Sequence, residues 1–402
     1  MRILMVQDTD WLSKGPFQQN HLMENLALKG HEIRVIDYEI LWRTHGTGRL
    51  YSFRRVLTDV SRVHRGGEVT LIRPAIVRVP YLDYFSLALS DFFEINRQLK
   101  EFKPDVVVGF HILSAYIGRQ AARRNHLPYI YYWVDVYHRQ IPLKLYQPIG
   151  KMLEKKMLRV ADRVIVINDK LQDYVLKLGS PKDKTQVIRG TVDTKLFNID
   201  THRGKVREQL GIREDDLVLF FMGWLYHFSG LKEVALELAK NPDPKLKFLI
   251  LGEGDAYTEL EKIREAHHLQ DRVILTGKKP YQEIPEYIAS ADVCLLPAYT
   301  WEPIMRDIVP IKMYEYMAMQ KPVISTRLPG VMKEFGEGNG VIYVDKPEEV
   351  VAKALELVRT GQARELGLKA RKFVERNNWD RITDEFERIL NEVIAEKKAR
   401  RP

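Results

Sequence analysis

The stretch Asp307-Ile-Val-Pro-Ile-Lys-Met-Tyr-Glu-Tyr-Met-Ala-Met-Gln-Lys-Pro-Val-Ile-Ser-Thr326 packs a helix start and a buried strand into twenty residues. Pro310 fits the first helical position, where its missing N–H costs nothing. Lys312 and Glu315 lie three apart, so they share a helix face near the positive end of the macrodipole. Met317-Ala-Met319 and Lys321-Pro322 close the helix, and Val323-Ile-Ser-Thr326 reads as a strand. Such a helix start can hold a diphosphate on its free N–H groups, with Lys312 assisting. Glu315 can accept two hydrogen bonds from a ribose diol. This is a sugar-nucleotide site in outline; the bland alternative is an amphipathic helix with exposed charges.

Working outward, the second half alternates strands at Leu217–Met222, Leu246–Leu251, Val273–Thr276, Val293–Leu296, Pro322–Thr326 and Val341–Val344 with helices at Ser229–Lys240, Tyr257–His268 and Glu283–Ser290. The first half has the same rhythm: strands at Arg2–Val6, Glu32–Ile36, Asp105–Gly109, Tyr129–Trp133 and Arg163–Ile167, helices at Phe17–Lys29 and Ala115–Asn125, and a glycine C-cap at Gly30. Two successive βαβ units with parallel sheets follow, separated near Thr191–Lys205. Ligands of such sheets bind beyond the carboxyl ends of the strands.

At 402 residues the chain exceeds the size of one core, so two domains are expected. Hydrophobic residues at 45% and charged residues at 29% exclude a disordered chain. The single cysteine, Cys294, lies in the apolar run Val293–Leu296, which predicts a buried thiol and a reducing compartment. The apolar start Met1–Val6 is too short for a signal peptide, and no apolar run is long enough to span a membrane. A cytoplasmic protein is expected. Charge is uneven: residues 1–200 carry 31 Lys and Arg against 21 Asp and Glu, a surplus of +10, while the remainder carries 32 against 33. The first half therefore faces something anionic.

The Asp307–Thr326 segment resembles the donor signature P-x-K-x-x-E-Y-M-A-x-x-K-P-V-I of family 4 of the retaining glycosyltransferases, which have the GT-B fold. Further elements extend the likeness over nearly the whole chain. Gly30-His31-Glu32-Ile33-Arg34-Val35-Ile36 is similar to the family's element after its first helix. Val187-Ile-Arg-Gly-Thr-Val-Asp193 with Leu196-Phe197 resembles the interdomain element. Leu251-Gly-Glu-Gly254 and Thr276-Gly277 match two loops, and Glu375–Arg388 resembles the final helix. The resemblance implies an α/β protein with two Rossmann-like domains facing across a cleft. Residues 1–195 would bind the acceptor and 196–374 the nucleotide sugar; 375–402 would cross back to the N-terminal domain.

It also implies roles. Glu315 inherits the ribose contact, and Asp307, shorter than the family's usual glutamate, would meet the donor sugar. Lys279 after Gly277 would lie against the nucleobase, and Gly252 and Gly254 would let backbone approach the ligand. In Phe221-Met-Gly-Trp-Leu-Tyr-His-Phe-Ser-Gly230 the spacing of Gly223 is kept, but Trp224 and Ser229 replace an arginine and a lysine that usually hold the diphosphate. Other donors are then needed: the Pro310 helix start, Lys312, Ser229, Lys232 or His227. Lys232 also fits an exposed helix residue.

On the acceptor side, Asp8-Thr9-Asp10 looks like the metal motif of a different transferase fold but follows the first strand, so it reads as a polar loop cluster. No metal and no cofactor are expected. The loop Lys14-Gly15-Pro16 would approach the reacting sugar through Gly15. Asp135, His138 and His111 follow strands and can orient sugar hydroxyls; either histidine also fits a solvated or structural role. Retaining transfer needs the acceptor hydroxyl held beside the donor phosphate and separated charge stabilised. The family's implied route is front-face attack, the leaving phosphate accepting the proton.

Residues 41–57 mix aromatics with arginines, and Arg62 and Arg65 extend them. This suits anionic lipid headgroups or a flexible basic loop; no nucleic-acid recognition motif accompanies it. The reading is transfer of a sugar from a nucleoside diphosphate to a lipid-linked or membrane-associated glycan, at the cytoplasmic face of a membrane. The alternatives are a soluble transferase with a small phosphorylated acceptor and a non-catalytic nucleotide-sugar-binding relative.

Overall fold

The computed structural model describes residues 1–14, 16–43, 49–141, 143–202, 205–306, 309–376 and 378–400. It divides into two compact units, Met1–Arg189 with the segment from Trp379, and Gly190–Asn378. The sequence reading places these divisions after residues 195 and 374.

The first unit runs β1 (Arg2–Gln7), α1 (Gln18–Leu28), β2 (Glu32–Ile36), β3 (Tyr51–Ser52), β4 (Arg55–Val60), β5 (Val69–Arg73), β6 (Ile76–Val77) and α2 (Leu82–Glu101). It continues through β7 (Val106–Phe110), α3 (Leu113–Arg124), β8 (Tyr129–Trp133), α4 (Gln147–Val160), β9 (Arg163–Val166), α5 (Asp169–Lys177) and β10 (Thr185–Val187). Among the described residues eight strands form one sheet in the order β10-β9-β8-β7-β1-β2-β5-β4. All neighbours are parallel except β4 on β5. Residues 55–57, read from sequence as part of a basic loop, thus belong to an antiparallel edge strand. Strands β1, β7 and β8 are apolar at almost every position because helices cover both faces. The C-terminal helix Trp379–Ala399 packs on α1: the Trp379 ring stacks on His21 at 4.3 Å, and Lys29 bridges to Asp384 and Glu387.

The order reverses between β1 and β7, which makes a switch point whose carboxyl edge is held by buried charges. Asp10 after β1, Asp37 after β2 and Arg73 ending β5 are buried together. The Arg73 guanidinium donates to both Asp37 oxygens, at 3.1 and 3.0 Å, and to Asp10. Asp37 also accepts from the Trp11 amide at 2.9 Å. Burial nevertheless pushes the Asp37 carboxyl up to about 7, against the pull of Arg73.

The second unit runs α6 (Lys205–Gln209), β11 (Leu217–Met222), α7 (Leu231–Lys240), β12 (Leu246–Leu251), α8 (Tyr257–Ala266), β13 (Val273–Leu275), α9 (Ile284–Ala289) and β14 (Val293–Leu296). Next come α10 (Ile311–Ala318), β15 (Val323–Thr326), α11 (Pro329–Phe335), β16 (Val341–Val344), α12 (Val350–Arg359) and α13 (Gln362–Val374). Six described strands pair in parallel in the order β13-β12-β11-β14-β15-β16, reversing between β11 and β14. Cys294 is fully buried in β14, and burial raises its thiol.

Arg73→Met leaves Asp10 and Asp37 buried without their counter-charge, a loss of about 3 kcal/mol or more. With its pKa raised above the unfolded value, the Asp37 carboxyl stabilises at low pH and loses that contribution as pH rises through about 7. Urea unfolding should therefore show a larger deficit for the variant at pH 8 than at pH 5.

Candidate functional site

Three loops of the second unit meet at the carboxyl edge of β11, β12 and β13. The Gly223 amide donates to the Leu251 carbonyl at 2.9 Å, the Leu225 amide to Glu253 at 3.0 Å, and the Gly252 amide to Gly277 at 3.0 Å. A Cβ on Gly252 would collide with the Gly223 carbonyl, and one on Gly254 would stand 2.6 Å from the Leu225 nitrogen. With φ of +142° and +150°, both positions need glycine. Their glycines thus serve contact between loops. Gly277, at φ +68°, has open space where a side chain would project.

Helix α10 faces the same edge. Pro310 is its N-cap, with extended ψ of 135°, so the helix begins one residue later than expected. Proline has no N–H to lose there and leaves the first helical amides uncovered by its own side chain. Lys312 turns into the space a side chain at Gly223 would occupy: a Cβ there would lie 2.6 Å from Nζ. Its ammonium sits 4.1 Å from the Phe221 ring centroid, a cation–π contact that offsets part of the cost of burial. Desolvation lowers Lys312 to about 8, with Glu315 pulling the other way.

Glu315, one turn on, is buried. Desolvation raises it to about 7, while a hydrogen bond from the Tyr281 hydroxyl and the charge of Lys312 hold it down. Tyr281 is anchored edge-on against Phe197 at 5.6 Å. Sequence reading passed over Tyr281; its only signal was its place just after Lys279-Pro280, past the Gly277 turn. The arrangement brings together an ammonium, a carboxyl raised by burial and a phenol beside a glycine turn. It can grip an anion and a diol at once.

Of the other expected donor-side residues, Ser229 is buried, with its amide on the Tyr226 carbonyl at 3.0 Å, immediately before the α7 N-cap Gly230. Trp224 is partly exposed and belongs to an aromatic group with Tyr226 and Phe228. Lys232 is not among the clustered groups: its ammonium pairs with Glu259 at 3.4 Å, both ends well exposed. The Lys279 ammonium lies 5.8 Å from the Tyr287 ring. Asp307 lies outside the described residues.

At the switch point of the first unit, Asp8 occupies the start of α3. Its carboxylate accepts from the amides of Ile112 at 3.1 Å, Leu113 at 2.7 Å and Ser114 at 2.7 Å. With Asp10 bound to Arg73, the Asp8–Asp10 cluster is spent on the fold. His111 follows β7 in the left-handed region at φ +68°, a strained setting for a residue other than glycine. Burial and the Lys14 charge push it down to about 3, and its Nδ1 is buried without a hydrogen-bond partner. Tyr137 packs against it at 4.5 Å. His138 has a different environment: its buried ring is bound through Nδ1 to Glu154, which also accepts from the Trp133 indole at 3.3 Å. That contact fits the structural role rather than a hydroxyl-orienting one. Asp135 accepts from the Val136 amide at 2.6 Å and from Gln140 at 2.5 Å, holding its own turn. Gly15 lies outside the described residues. Among the described residues, no group of three or more His, Cys, Asp or Glu side chains is arranged to hold a metal ion.

Comparison with known proteins bears on this geometry. The family model described as "Glycosyltransferase Family 4" matches residues 20–196, and that of "Glycosyl transferases group 1" matches 202–377. The alpha-D-kanosaminyltransferase of Streptomyces kanamyceticus is 28% identical over 218 residues, 52% of this chain and 54% of the relative. The amylovoran biosynthesis glycosyltransferase AmsK of Erwinia amylovora is 29% identical over 194 residues, 48% and 45% of the two chains. The chain thus spans about half the length of these relatives. Sucrose-phosphate synthase from Thermosynechococcus elongatus superposes with a TM-score of 0.77 at 20% identity, covering 98% of this chain and 100% of that one. The Anabaena HepE complex with UDP-glucose gives 0.72 at 17%, with 98% and 100% coverage. These likenesses show a GT-B fold. With one model on each half of the chain and the donor signature at the head of α10, the protein belongs to the group 1, family 4 glycosyltransferases.

Proposed function

We propose that the protein is a retaining glycosyltransferase that moves a sugar from a nucleoside diphosphate to a lipid-linked or membrane-associated glycan. The observation that carries this reading is the Lys312–Glu315–Tyr281 group beside Gly223 at a strand-order switch point. Glu315 takes the ribose diol, held in place by Tyr281. Lys312 and the uncapped amides at the start of α10 take the diphosphate, supplying from one helix the positive charge that Trp224 and Ser229 do not. Lys279 and the Gly277 turn lie beside the nucleobase. Ionised groups buried beforehand need little reorganisation when charge develops on the leaving phosphate. His111, unpartnered at Nδ1, takes a sugar hydroxyl, with Asp135 and Asp307 nearby in role; no metal or other cofactor is required. Relatives named for amylovoran, colanic acid and teichuronic acid biosynthesis support a glycan acceptor. HepE, solved with UDP and with UDP-glucose, supports a uridine donor as the first to test. No described helix is long and apolar enough to cross a membrane.

Binding should be bell-shaped in pH. Glu315 must be ionised to accept from the diol, which favours pH above about 7, and Lys312 must be charged to meet phosphate, which favours pH below about 8. Stability runs the other way. Raised Glu315 stabilises the empty unit at low pH and loses that contribution through about 7; lowered Lys312 stabilises at high pH and loses its contribution as pH falls through about 8. Calorimetric titration with UDP, GDP and ADP should give tightest binding between these values. Glu315→Gln should remove the acidic limb and Lys312→Met the alkaline limb; a pH-flat wild type would contradict the assignment.

Turnover of a nucleotide sugar should fall by about three orders of magnitude or more in Glu315→Ala without loss of folding. Tyr281→Phe should weaken nucleotide binding about tenfold at neutral pH, since it removes a hydrogen bond to a charged group. Thermal shift with the same nucleotides supplies the binding readout.

A further inference from the structure

Helices α2 and α4 of the first unit carry large apolar side chains outward as well as inward. In α2 the acids Asp83, Asp91 and Glu94 are buried, whereas Leu82, Phe85, Leu89, Phe92 and Phe93 are exposed, Phe85 at 67% and Phe93 at 70%. Their spacing of three and four residues lines one helical stripe. The β3–β6 ribbon packs against α2 and adds Leu50, Tyr51 and Phe53, all exposed. Exposed apolar residues on this scale mark an interaction surface.

Charge identifies the partner. Helix α3 packs between α2 and α4, and α4 with the turn before it exposes Leu145 at 82%, Met152 at 60% and Ile149. The same stretch exposes Lys144, Lys151, Lys155, Lys156 and Arg159. The single acid of residues 143–160, Glu154, is buried against His138 and Trp133. By contrast, three arginines of the basic 41–65 stretch are paired within the unit. Arg54 is bidentate on Glu94, Arg55 is bound to Glu39, and Arg62 donates to the carbonyls of Trp11 and Lys14. A symmetric contact between two copies would oppose like charges on α4.

We propose that the outer face of α2, α3 and α4, with the β3–β6 ribbon, docks flat on an anionic lipid surface. The α2 aromatics enter the interface and the α4 lysines meet the headgroups. This deepens the proposed function, because a lipid-linked acceptor is then presented to the first unit at the membrane. The test is flotation with vesicles of equal parts phosphatidylserine and phosphatidylcholine, and with phosphatidylcholine alone, at moderate salt. The wild type should float with the anionic vesicles and much less with the neutral ones. Phe85→Ser/Phe93→Ser and Lys151→Glu/Lys155→Glu should each lower the partition at least about tenfold, keeping the wild-type melting temperature and its nucleotide-induced shift. A wild type that stays at the bottom with anionic vesicles overturns the proposal, as do variants that float like the wild type. A wild-type dimer made monomeric by Phe85→Ser/Phe93→Ser overturns it too, in favour of a contact between copies. Flotation without any nucleotide-induced shift keeps the docking face and removes the transfer reading.

Discussion

A lysine and a glutamate three residues apart at the head of one short helix, the lysine half-buried and the glutamate buried, set the terms for the second unit. Removing two opposite charges from water costs several kcal/mol each unless they find partners. Here the partners are specific: the Phe221 ring beneath Lys312, the Tyr281 hydroxyl on Glu315, and each charge for the other. Neither group recovers its ordinary ionisation. In the proposed function that residual discomfort is useful, because a ligand bringing phosphates and a diol would supply what the protein withholds.

Space for this pair is made by absent side chains. Lys312 lies where a Cβ on Gly223 would crowd it, and the Gly223 turn is held in turn by contact with Leu251 and Gly252. Three glycines in three loops therefore act as one object. Trp224 and Ser229 stand where the family's arginine and lysine usually do, Trp224 in an aromatic group with Tyr226 and Phe228, and in the proposed function the positive charge comes from α10 instead.

The first unit uses buried charge for a different purpose. Asp8 fills the start of α3, Arg73 joins the ends of three strands, and Glu154 fixes His138. Each carboxylate is spent on holding a loop at the carboxyl edge of the sheet. What remains unspent is at the strained His111 and on the outer faces of α2 and α4. There apolar and cationic side chains face outward while acids face in.

The strand Tyr129–Trp133 was legible residue for residue because a parallel strand buried on both faces is apolar throughout, and Glu32–Ile36 and Leu246–Leu251 were legible although Arg34 and Lys247 interrupt them. The Lys312–Glu315 spacing was equally legible, since a helix fixes which residues share a face. Tyr281, the Glu154 anchor of His138 and the loop-to-loop task of Gly252 were not, because each depends on a partner distant in sequence. Helix α2 shows the same limit: its pattern of apolar and acidic residues has a period but no sign, and only packing decides which stripe turns inward. Local order thus follows from sequence through backbone geometry. The ionisation, pairing and exposure of each side chain are fixed by neighbours that only the tertiary fold brings together.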